Sequence, residues 1–424
     1  MPGAPKTSGM DIEAARAAAY AEPLENLHPG RPDLFEADAI WPVFERLRRE
    51  DPVHWVRDGP FGPYWSVTTW DMVAAVDTDH EAFSSAQGVV LTALSASQQI
   101  SGSLNPPMFM SMDPPRHQAQ RRAVSPAFAP GRLAQLAPAI RRRAAAILDD
   151  LPRDETFDWV DRVARELTAA TLAMLFDFDF EQRRLLTFWS DVITLAPGRG
   201  VVTSWDQKRD EIGRCFACFS ALLDERSGHG QADDLVSLLA GRLRAGEMNL
   251  QEALGDLLLL IVAGADTTRN SISGSLYALS SRPGSYRRLA EEPGLITSMA
   301  SETLRWQTPV AHMRRIATRD VELGGKTIRK GDSVAMWYAS ANRDEALFED
   351  ADDFVIDRPN ARRHLSFGAG IHRCVGARLA ELQLTILWEE ILKRFDRIEV
   401  AGEPVRTHSV FIRGYEQLPV MIPS

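Results

Sequence analysis

The ten residues from Phe367 to Gly376 constrain the fold and chemistry of this chain more than any other stretch. They hold glycines, a basic pair and one cysteine, and they precede a segment, 377–395, with the pattern of a helix. Gly368 and Gly370 let the backbone turn tightly and approach a flat ligand closely. Cys374 lies at the predicted helix start, where free N–H groups and the helix dipole favour a thiolate. A lone thiolate suits one axial bond to an iron and not a zinc site, which needs about four ligands.

The rest of the sequence predicts one mainly helical domain with small β-sheets. Residues Val53 to Ser66 alternate between apolar and polar around a Gly/Pro turn, which indicates a β-hairpin. The helical period recurs from 114 to 305, and its longest segment runs from Leu250 to Ser281 with Asn249 as the N-cap. Other predicted helices are 130–151, 159–176, 182–195, 207–226 and 232–245, and predicted strands are 321–323, 327–328, 333–337, 398–400, 409–412 and 418–422.

The composition excludes several classes of protein. A net charge of −10 argues against nucleic acid and anionic membranes as partners. The longest apolar stretch, Leu257–Ala263, is far shorter than the roughly 20 residues of a membrane span, and residues 1–25 lack a secretory signal pattern. Three cysteines exclude a disulfide framework, and Cys215 and Cys218 are interpreted as packed side chains one helical turn apart. We therefore expect a cytoplasmic protein without a membrane span.

The centre of the longest predicted helix reads Ala263-Gly264-Ala265-Asp266-Thr267-Thr268. Glycine in a helix interior costs about 1 kcal/mol relative to alanine, and glycine beside threonine often marks a local bend. A groove at such a bend has room for a diatomic ligand. Asp266 and Thr267 then form an acid–alcohol pair that can pass protons inward. The alternative is a solvated acid beside a threonine that packs against another helix.

These two sequences resemble the haem-binding loop and the oxygen-activation motif of the cytochrome P450 superfamily, in which a cysteine thiolate holds the haem. The resemblance covers nearly the whole chain from about residue 35. It implies an N-terminal extension, 1–34, and a single haem domain, 35–424, with the P450 fold. It also implies a monooxygenase that contains haem b (iron protoporphyrin IX) and inserts one oxygen atom from O2 into an unactivated C–H bond.

The same resemblance implies roles for individual residues. Cys374 would be the iron ligand, and Asp266 and Thr267 would be catalytic. Haem carries two propionates, which cationic or donor groups must meet. By motif position these groups are His117, Arg121, Arg315 and His364, with Arg314 as the competitor of Arg315. The full cofactor-binding set is His117, Arg121, Ala263, Gly264, Arg315, His364, Phe367, Gly368, Cys374 and Gly376.

The resemblance also suggests roles for a Glu–Arg pair and for an arginine-rich stretch. Glu302 and Arg305 match the family's Glu-x-x-Arg pair, which is locked by a later arginine, here Arg343 or Arg358. Between 358 and 380 there are several arginines and no acid, a basic patch that Arg121 and Arg122 could join. Its alternative interpretations are a solvated charge cluster or a docking face for an acidic redox protein. The resemblance implies an iron–sulfur ferredoxin, reduced by an NAD(P)H-dependent ferredoxin reductase, and we expect a monomer.

The stretches 305–315, 336–338, 356–362, 387–390 and 397–400 are similar to the bacterial P450 group that hydroxylates the terminal carbon of medium-chain alkanes and fatty acids. Ala265 departs from that group, where asparagine is expected. A linear aliphatic substrate would need a narrow apolar channel that holds the chain end-on. Candidate wall residues are Leu91, Leu94, Ile100, Leu104, Met108, Leu259, Leu260, Val310, Met313 and Phe411.

Other functions remain as alternatives at this stage. A steroid or terpenoid hydroxylase would use the same haem chemistry. A haem-based gas sensor or carrier would need neither the Asp266–Thr267 pair nor a basic patch for a reductase. A cysteine hydrolase, with Cys374 activated by His372, would need no haem and would be colourless.

Overall fold

In the computed structural model, residues 12–97, 106–228 and 233–424 are described, and they form a mainly helical body with small sheets. The predicted fold class is confirmed by this architecture. The helices are α1 Ile12–Ala21, α2 Pro32–Glu36, α3 Trp41–Glu50, α4 Trp70–Thr78, α5 Leu94–Ser97, α6 Arg116–Val124, α7 Pro130–Asp149, α8 Glu166–Phe176, α9 Arg184–Thr194, α10 Trp205–Ser227, α11 Leu235–Arg244, α12 Leu250–Ser280, α13 Pro283–Glu291, α14 Ile296–Gln307, α15 Tyr338–Ala341 and α16 Ala377–Leu392.

The strands form small, separate sheets. In the largest sheet the order is β1-β2-β8-β5-β3, and β2 pairs with β8 in parallel while the other pairs are antiparallel. The order β4-β12-β9 makes a second sheet, and β6-β7 and β10-β11 are two-stranded. The strands are β1 Val53–Val56, β2 Tyr64–Val67, β3 Phe83–Ser84, β4 Thr156–Asp158, β5 Met313–Ala317, β6 Val321–Leu323, β7 Lys326–Ile328, β8 Ser333–Met336, β9 Glu399–Val400, β10 Val405–Arg406, β11 Tyr415–Gln417 and β12 Pro419–Met421.

Helix α12 forms the centre of the molecule. It has 31 residues, which at about 1.5 Å per residue gives a length of about 46 Å. Its start is the predicted capping box, in which Asn249 Oδ1 accepts from the Glu252 N–H and Glu252 Oε2 accepts from the Asn249 N–H. Its residues are buried over most of its length, against α8, α9, α14 and α16. The largest apolar core of the protein therefore surrounds the predicted oxygen-site sequence.

The segment before residue 35 packs on the body. Ala15 and Ala19 of α1 are buried, and Arg46 of α3 donates to the Ala19 and Glu22 carbonyls. The division at residue 35 stays a prediction, and the described part of the first segment is in contact with the rest. Within the described ranges, no helix has the length and apolar character that crossing a membrane requires.

One predicted strand is wrong. Residues 409–412 form a turn with an isolated bridge from Ile412 to Val310. The cause is the Ser409 hydroxyl, which accepts from the Phe411 and Ile412 N–H groups, each at 3.1 Å. Those N–H groups are therefore not available to a strand ladder.

Candidate active site

A cavity lies between the middle of α12 and the Phe367–Gly376 loop, and its empty space, including the solvent at its opening, is about 1350 Å³. One wall is apolar and comes from α8, α12 and the turn near residue 110. The opposite wall carries polar groups from α4, α6, β5 and the loop. The lining residues include Asp77, Phe109, Met110, Arg121, Leu172, Leu175, Leu259, Leu260, Ala263, Gly264, Thr267, Val310, Met313, Arg315, Tyr338, Phe367, Gly368, His372, Cys374 and Gly376.

Cys374 lines the cavity just before α16 begins at Ala377. Its own N–H donates to the Phe367 carbonyl at 2.8 Å, which closes the loop into a compact turn. Gly368 and Gly370 have φ values of +66° and +62°, a region that other residues rarely adopt, so the turn requires glycine. Burial raises the pKa of the Cys374 thiol, whereas the Gly376 and Ala377 N–H groups and nearby arginines act in the opposite direction.

Gly376 leaves the side of the thiol open. A Cβ at this position would have its nearest protein atoms 3.7 Å away in Phe128 and 3.9 Å away at Cys374 Sγ. These are ordinary contact distances, so protein packing alone does not demand glycine here. The space beside the sulfur faces the cavity instead.

On the opposite wall, helix α12 contributes Ala263, Gly264 and Thr267 to the lining of the cavity. The helix continues through them as an α-helix, and the expected bend is not marked by a break in it. A Cβ at Gly264 would lie 2.6 Å from Leu172 Cδ2 on α8, so a larger residue there would force the Leu172 side chain to shift. The Thr267 hydroxyl donates to the Ala263 carbonyl at 2.6 Å, which leaves its lone pairs free to accept a hydrogen bond.

Asp266 lies on a different face of α12 from the cavity. Its carboxylate is 2.9 Å from Arg269 Nη2 and is almost fully buried. Arg269 also pairs with Asp191 of α9 at 2.9 Å, and Asp191 pairs with Arg165 at 2.6 Å. Burial raises the pKa of Asp266. The predicted acid–alcohol pair is therefore adjacent in sequence, but only its alcohol lines the cavity among the described residues.

At one end of the polar wall Arg121, Arg315 and His372 line the cavity, and His117 completes a cluster of four through its contact with the His372 ring, without being in the lining itself. The rings of His117 and His372 are 4.2 Å apart between centroids. His372 lies near both Arg121 and Arg315, and His117 lies near Arg121. Burial lowers the pKa of His117 to about 4 and that of His372 to about 3, so both rings are neutral at pH 7. Neither nitrogen of His117 has a hydrogen-bond partner among the described residues, nor does Nδ1 of His372.

The adjacent arginines of β5, Arg314 and Arg315, point in opposite directions. Side chains alternate along a strand, so Arg315 points into the cavity together with Met313. Arg314 points the other way, where its Nε donates to the Ser333 hydroxyl at 2.8 Å. Arg315 is buried and pairs with Asp77 at 2.8 Å.

His364 is not part of this cluster. Its Nδ1 accepts from the Ser366 N–H at 3.2 Å and its ring packs on Phe367, and among the described residues it is not in the lining. His372, which the sequence analysis considered only as a partner of a nucleophilic cysteine, lies in the lining instead. The signal that could have indicated it is its position two residues before Cys374, inside the same tight turn. Asp77 and Tyr338 were also missed. Asp77 belongs to no motif, and Tyr338 lies in the stretch 336–338, whose resemblance implied no site role for it.

The predicted substrate walls are partly assembled in the cavity. Leu259, Leu260, Val310 and Met313 line it, and the described positions of the other candidates do not. Leu94 is 56% exposed, Leu91 is buried in a separate apolar cluster, Met108 packs on the main core, and Phe411 packs on the His312 ring. Ile100 and Leu104 lie outside the described residues. Walls that the sequence did not indicate come from Phe109, Met110, Leu172 and Leu175.

Glu302, Arg305 and Arg358 form a buried triad behind the loop. Arg305 pairs with Glu302 at 2.7 Å, and Arg358 Nε lies 3.1 Å from each Glu302 oxygen, so Arg358 is the later arginine of this triad. Arg343 instead pairs with Asp352 and stacks on the Trp41 ring. Arg358 is thus excluded from the surface basic patch, and Arg121 faces the cavity. The exposed arginines of this region are Arg122, Arg362, Arg363, Arg373 and Arg378.

The residues present fit the haem group that the loop sequence implies. A thiol stands on one side of a space that no side chain of the described residues fills, and α12 presents Ala263 and Gly264 across it. At the edge, Arg121, Arg315 and the histidines with unpaired ring nitrogens offer donors for two carboxylates. Unpaired buried nitrogens are costly unless a ligand accepts from them.

Comparison with known proteins gives the same family throughout. A family model described as Cytochrome P450 matches residues 204–409. Linalool 8-monooxygenase from Pseudomonas putida is 33% identical over 402 residues, which are 92% of this chain and 97% of that protein. Methyl-branched lipid omega-hydroxylase from Mycobacterium tuberculosis is 30% identical over 418 residues, which are 94% of this chain and 95% of that protein.

Among solved structures, CYP153D17 from Sphingomonas sp. PAMC 26605 superposes with a TM-score of 0.88. It is 43% identical, and the match covers 95% of this chain and all of that chain. The similarity therefore extends over the fold as well as over the motifs.

Proposed function

The chain belongs to the cytochrome P450 family of monooxygenases, and from that premise we propose that it hydroxylates the terminal carbon of medium-chain n-alkanes. Cys374 would hold the iron of haem b through its thiolate, and Arg121, Arg315, His117 and His372 would be the partners of its propionates. The observation that carries the proposal is the cavity itself, in which an apolar wall from α8 and α12 faces the wall that bears the cysteine.

When bound, the haem group supplies the activation of O2 and the oxidation of the C–H bond. The protein's own residues position the substrate, exclude water and hold protons. Leu172, Leu175, Leu259 and Leu260 form the apolar surface on which an alkyl chain would lie, and Val310 and Met313 narrow the cavity from β5 and the turn before it. Such positioning can direct oxidation to a chain end whose C–H bonds are stronger than internal ones.

Thr267 is the proposed residue that holds a proton near the oxygen site. Its hydroxyl donates to the Ala263 carbonyl, and the residue lines the cavity, so the hydroxyl oxygen can still accept a hydrogen bond. The buried Asp266–Arg269–Asp191 network on the neighbouring face of α12 fixes that helix against α9 and holds the acid one residue away. A side-chain movement of Asp266 would be needed to bring the acid to the hydroxyl.

Replacing Thr267 with alanine should uncouple electron use from product formation. We expect product per NADH consumed to fall by about 10-fold, with a matching rise in hydrogen peroxide. Loss of a proton-transfer group typically costs roughly 100-fold or more, and water can replace part of this hydroxyl. Thr267→Ser keeps the hydroxyl and should stay close to wild type. Full coupling in Thr267→Ala would remove the hydroxyl from the mechanism.

Charge favours alkanes over fatty acids as the substrate class. The charged lining residues of the described part of the chain are Asp77, Arg121 and Arg315. Arg315 is paired with Asp77, and Arg121 donates to the Arg373 carbonyl beside Cys374. Residues 82–112 contain no Asp, Glu, Lys or Arg. Because both arginines are also the proposed partners of the haem propionates, a fatty-acid carboxylate inside the cavity would be buried without a counter-ion of its own, which is expensive.

Product analysis by gas chromatography tests this proposal with octane, dodecane, lauric acid and a steroid as substrates. We expect 1-alkanols as the main products and a lower KM for dodecane than for lauric acid. Each buried CH₂ contributes about 0.8 kcal/mol, so affinity should rise with chain length until the cavity is full. Mainly internal alcohols would contradict terminal selectivity, and ω-hydroxylauric acid formed in preference to dodecanol would contradict the alkane preference.

Relatives support two different substrate shapes. The methyl-branched lipid omega-hydroxylase acts, by its name, at the end of a lipid chain, as proposed here. Linalool 8-monooxygenase acts on a small terpenoid alcohol, and its 33% identity makes a terpenoid or steroid hydroxylase the second candidate. Efficient oxidation of such a substrate without any linear product would favour that candidate.

A ferredoxin, reduced by an NAD(P)H-dependent reductase, is the proposed electron donor, and it would dock on the exposed arginines near the cysteine loop. Arg362, Arg363 and Arg373 are exposed there within a chain of net charge −10. Complementary charge mainly sets the association rate.

Reversing the charge at Arg362 or Arg363 to glutamate should slow electron transfer and reduce its salt dependence, because the Debye length is about 8–10 Å at physiological salt. Substrate affinity should not change. Arg214→Glu, at an exposed site on α10, is the matched control. Equal rates in all of these variants would refute the docking face.

A further inference from the structure

Asp77 lies at a position that local helix energetics do not favour. It belongs to the last turn of α4, where the negative end of the helix dipole disfavours an acid by about 0.3–1 kcal/mol. Its side chain is nevertheless almost fully buried and lines the cavity. A buried acid at a helix C-terminus needs strong partners, and these partners come from three other elements.

Three donors converge on the Asp77 carboxylate. Arg315 Nη2 of β5 donates to Oδ1 at 2.8 Å. The Tyr338 hydroxyl of α15 and the Ala369 N–H of the cysteine loop both donate to Oδ2, at 2.8 and 2.7 Å. Both carboxylate oxygens therefore accept hydrogen bonds. Oδ1 binds β5, and Oδ2 binds α15 and the cysteine loop.

The cysteine loop is shaped to approach this carboxylate. A Cβ on Gly368 would lie 3.2 Å from Asp77 Oδ2, and a Cβ on Gly370 would lie 2.7 Å from the Asp77 carbonyl oxygen. Larger residues at these two positions would push the loop away from α4. Gly368 and Gly370 thus have two roles: they allow the loop to contact Asp77 closely, and they form the turn that ends at Cys374.

We propose that Asp77 is a positioning residue for the cofactor: one carboxylate holds the Arg315 guanidinium and the Phe367–Gly376 loop in register, and its negative charge lowers the reduction potential of haem bound there. The inference rests on the proposed haem site. Oxidised haem iron carries one more positive charge than the reduced form, so a nearby anion stabilises the oxidised form. Asp77 would also share Arg315 with a propionate of the bound group, which would limit the positive charge that this arginine contributes.

Asparagine at position 77 provides a sharp test, because it keeps the shape and removes both the charge and one acceptor. Its amide has a single acceptor oxygen, so it can serve Arg315 or the Tyr338–Ala369 pair, and its NH₂ group then meets a donor on the other side. Holo Asp77→Asn should have a higher midpoint potential than wild type in spectroelectrochemical titration. It should also transfer haem to apomyoglobin about 10-fold faster, the lower end of the typical effect of losing a group that orients a ligand.

Two further variants separate charge from position. Asp77→Glu keeps the charge and displaces the carboxylate, so it should lose haem faster than wild type with little change in potential. Asp79→Asn removes the same charge next to the C-terminal end of α4, where the side chain is exposed, and should change neither quantity. Wild-type potential and haem retention in Asp77→Asn, or equal shifts in Asp79→Asn, would overturn the proposal.

The carbon monoxide difference spectrum is recorded for each holo variant. A thiolate-type band in every variant shows that the Cys374 assignment holds whatever the fate of Asp77. Absence of that band in wild type would count against the proposed function itself. If Asp77→Asn does not accumulate as a folded protein, Asp77→Glu decides, because haem loss at the wild-type rate in that variant contradicts a positioning role.

Discussion

Replacing Cys374 with serine should abolish monooxygenase activity and weaken haem binding by more than the roughly 10–100-fold typical of residues that only support a metal ligand. The expectation follows from geometry, because Cys374 is the cysteine that lines the cavity among the described residues. A serine hydroxyl is far less readily ionised than a thiol and is a poor ligand for haem iron. Haem content by the pyridine haemochrome method and NADH-dependent dodecane oxidation provide the two measurements.

Cys374→His gives a more specific version of the same experiment. Imidazole can bind haem iron, so this variant should retain more haem than Cys374→Ser, yet remain inactive because it lacks the electron-donating thiolate. The Soret band of its reduced carbon monoxide complex should move from the thiolate position to a globin-like position. An unchanged band in Cys374→His would contradict the assignment of the iron ligand.

The other two cysteines supply matched controls. Cys215 is buried in the main core and Cys218 is half-buried beside it, both on α10. Burial raises the pKa of both thiols, in keeping with packed, unreactive side chains. Cys218→Ser should leave haem content and activity at the wild-type level. A loss of haem equal to that of Cys374→Ser would indicate that serine substitution destabilises the protein in general.

Local sequence patterns predicted much of the fold. The β1–β2 hairpin pairs as expected, with Val53 opposite Val67, because the turn residues and the alternation are both local signals. The capping box of α12 and the end of that helix at Ser280 also follow from local chemistry. Strand β5 was not predicted, since Arg314 and Arg315 interrupt its apolar pattern. Arg315 is tolerated in this strand because its guanidinium group, which lines the cavity, is paired with Asp77.

The site could be predicted only in part, because its residues come together from distant parts of the chain. Cys374, Thr267 and Gly264 could be assigned because each belongs to a contiguous motif, and their placement on opposite walls agrees with that interpretation. His372 and His364 are both in the same short stretch, and only the direction of the side chain distinguishes them. His364 is held by the Ser366 N–H and the Phe367 ring, whereas His372 contacts the Ser85 hydroxyl from a distant part of the chain, which the sequence does not reveal.

The residues that line the substrate cavity were predicted least well, again because they come together from distant parts of the chain. Leu259 and Leu260 face the cavity because they lie on the same side of α12 as Ala263. Leu91 and Leu94 come from a segment without a regular period, so sequence cannot tell which side chains point inward. Phe109 enters the cavity wall because its N–H is held by the Asp256 carboxylate at 2.9 Å, a contact across 147 residues of sequence.

The Glu302 triad should have the largest effect on stability of any buried charge in the protein. Glu302 and Arg305 have no exposed side-chain surface, and Arg358 is almost fully buried. The guanidinium groups also donate to carbonyls of the 342–353 segment, including those of Asn342, Ala351 and Asp353. The triad therefore anchors the chain that leads to the cysteine loop.

Glu302→Gln should lower the free energy of unfolding by about 3–5 kcal/mol, the usual cost of leaving a buried charge without its partner. Two guanidinium groups would then face each other across a neutral amide. Urea titrations followed by far-UV circular dichroism measure the change, and the midpoint should fall with an unchanged slope. The matched control is Glu399→Gln, which removes the partner of Arg397 at an exposed pair and should cost no more than about 1 kcal/mol. Equal midpoints for the two variants would mean that the hydrogen bonds to carbonyls, rather than the ion pairs, hold the segment. In that case the double variant Glu302→Gln/Arg358→Gln would be no more stable than Glu302→Gln alone.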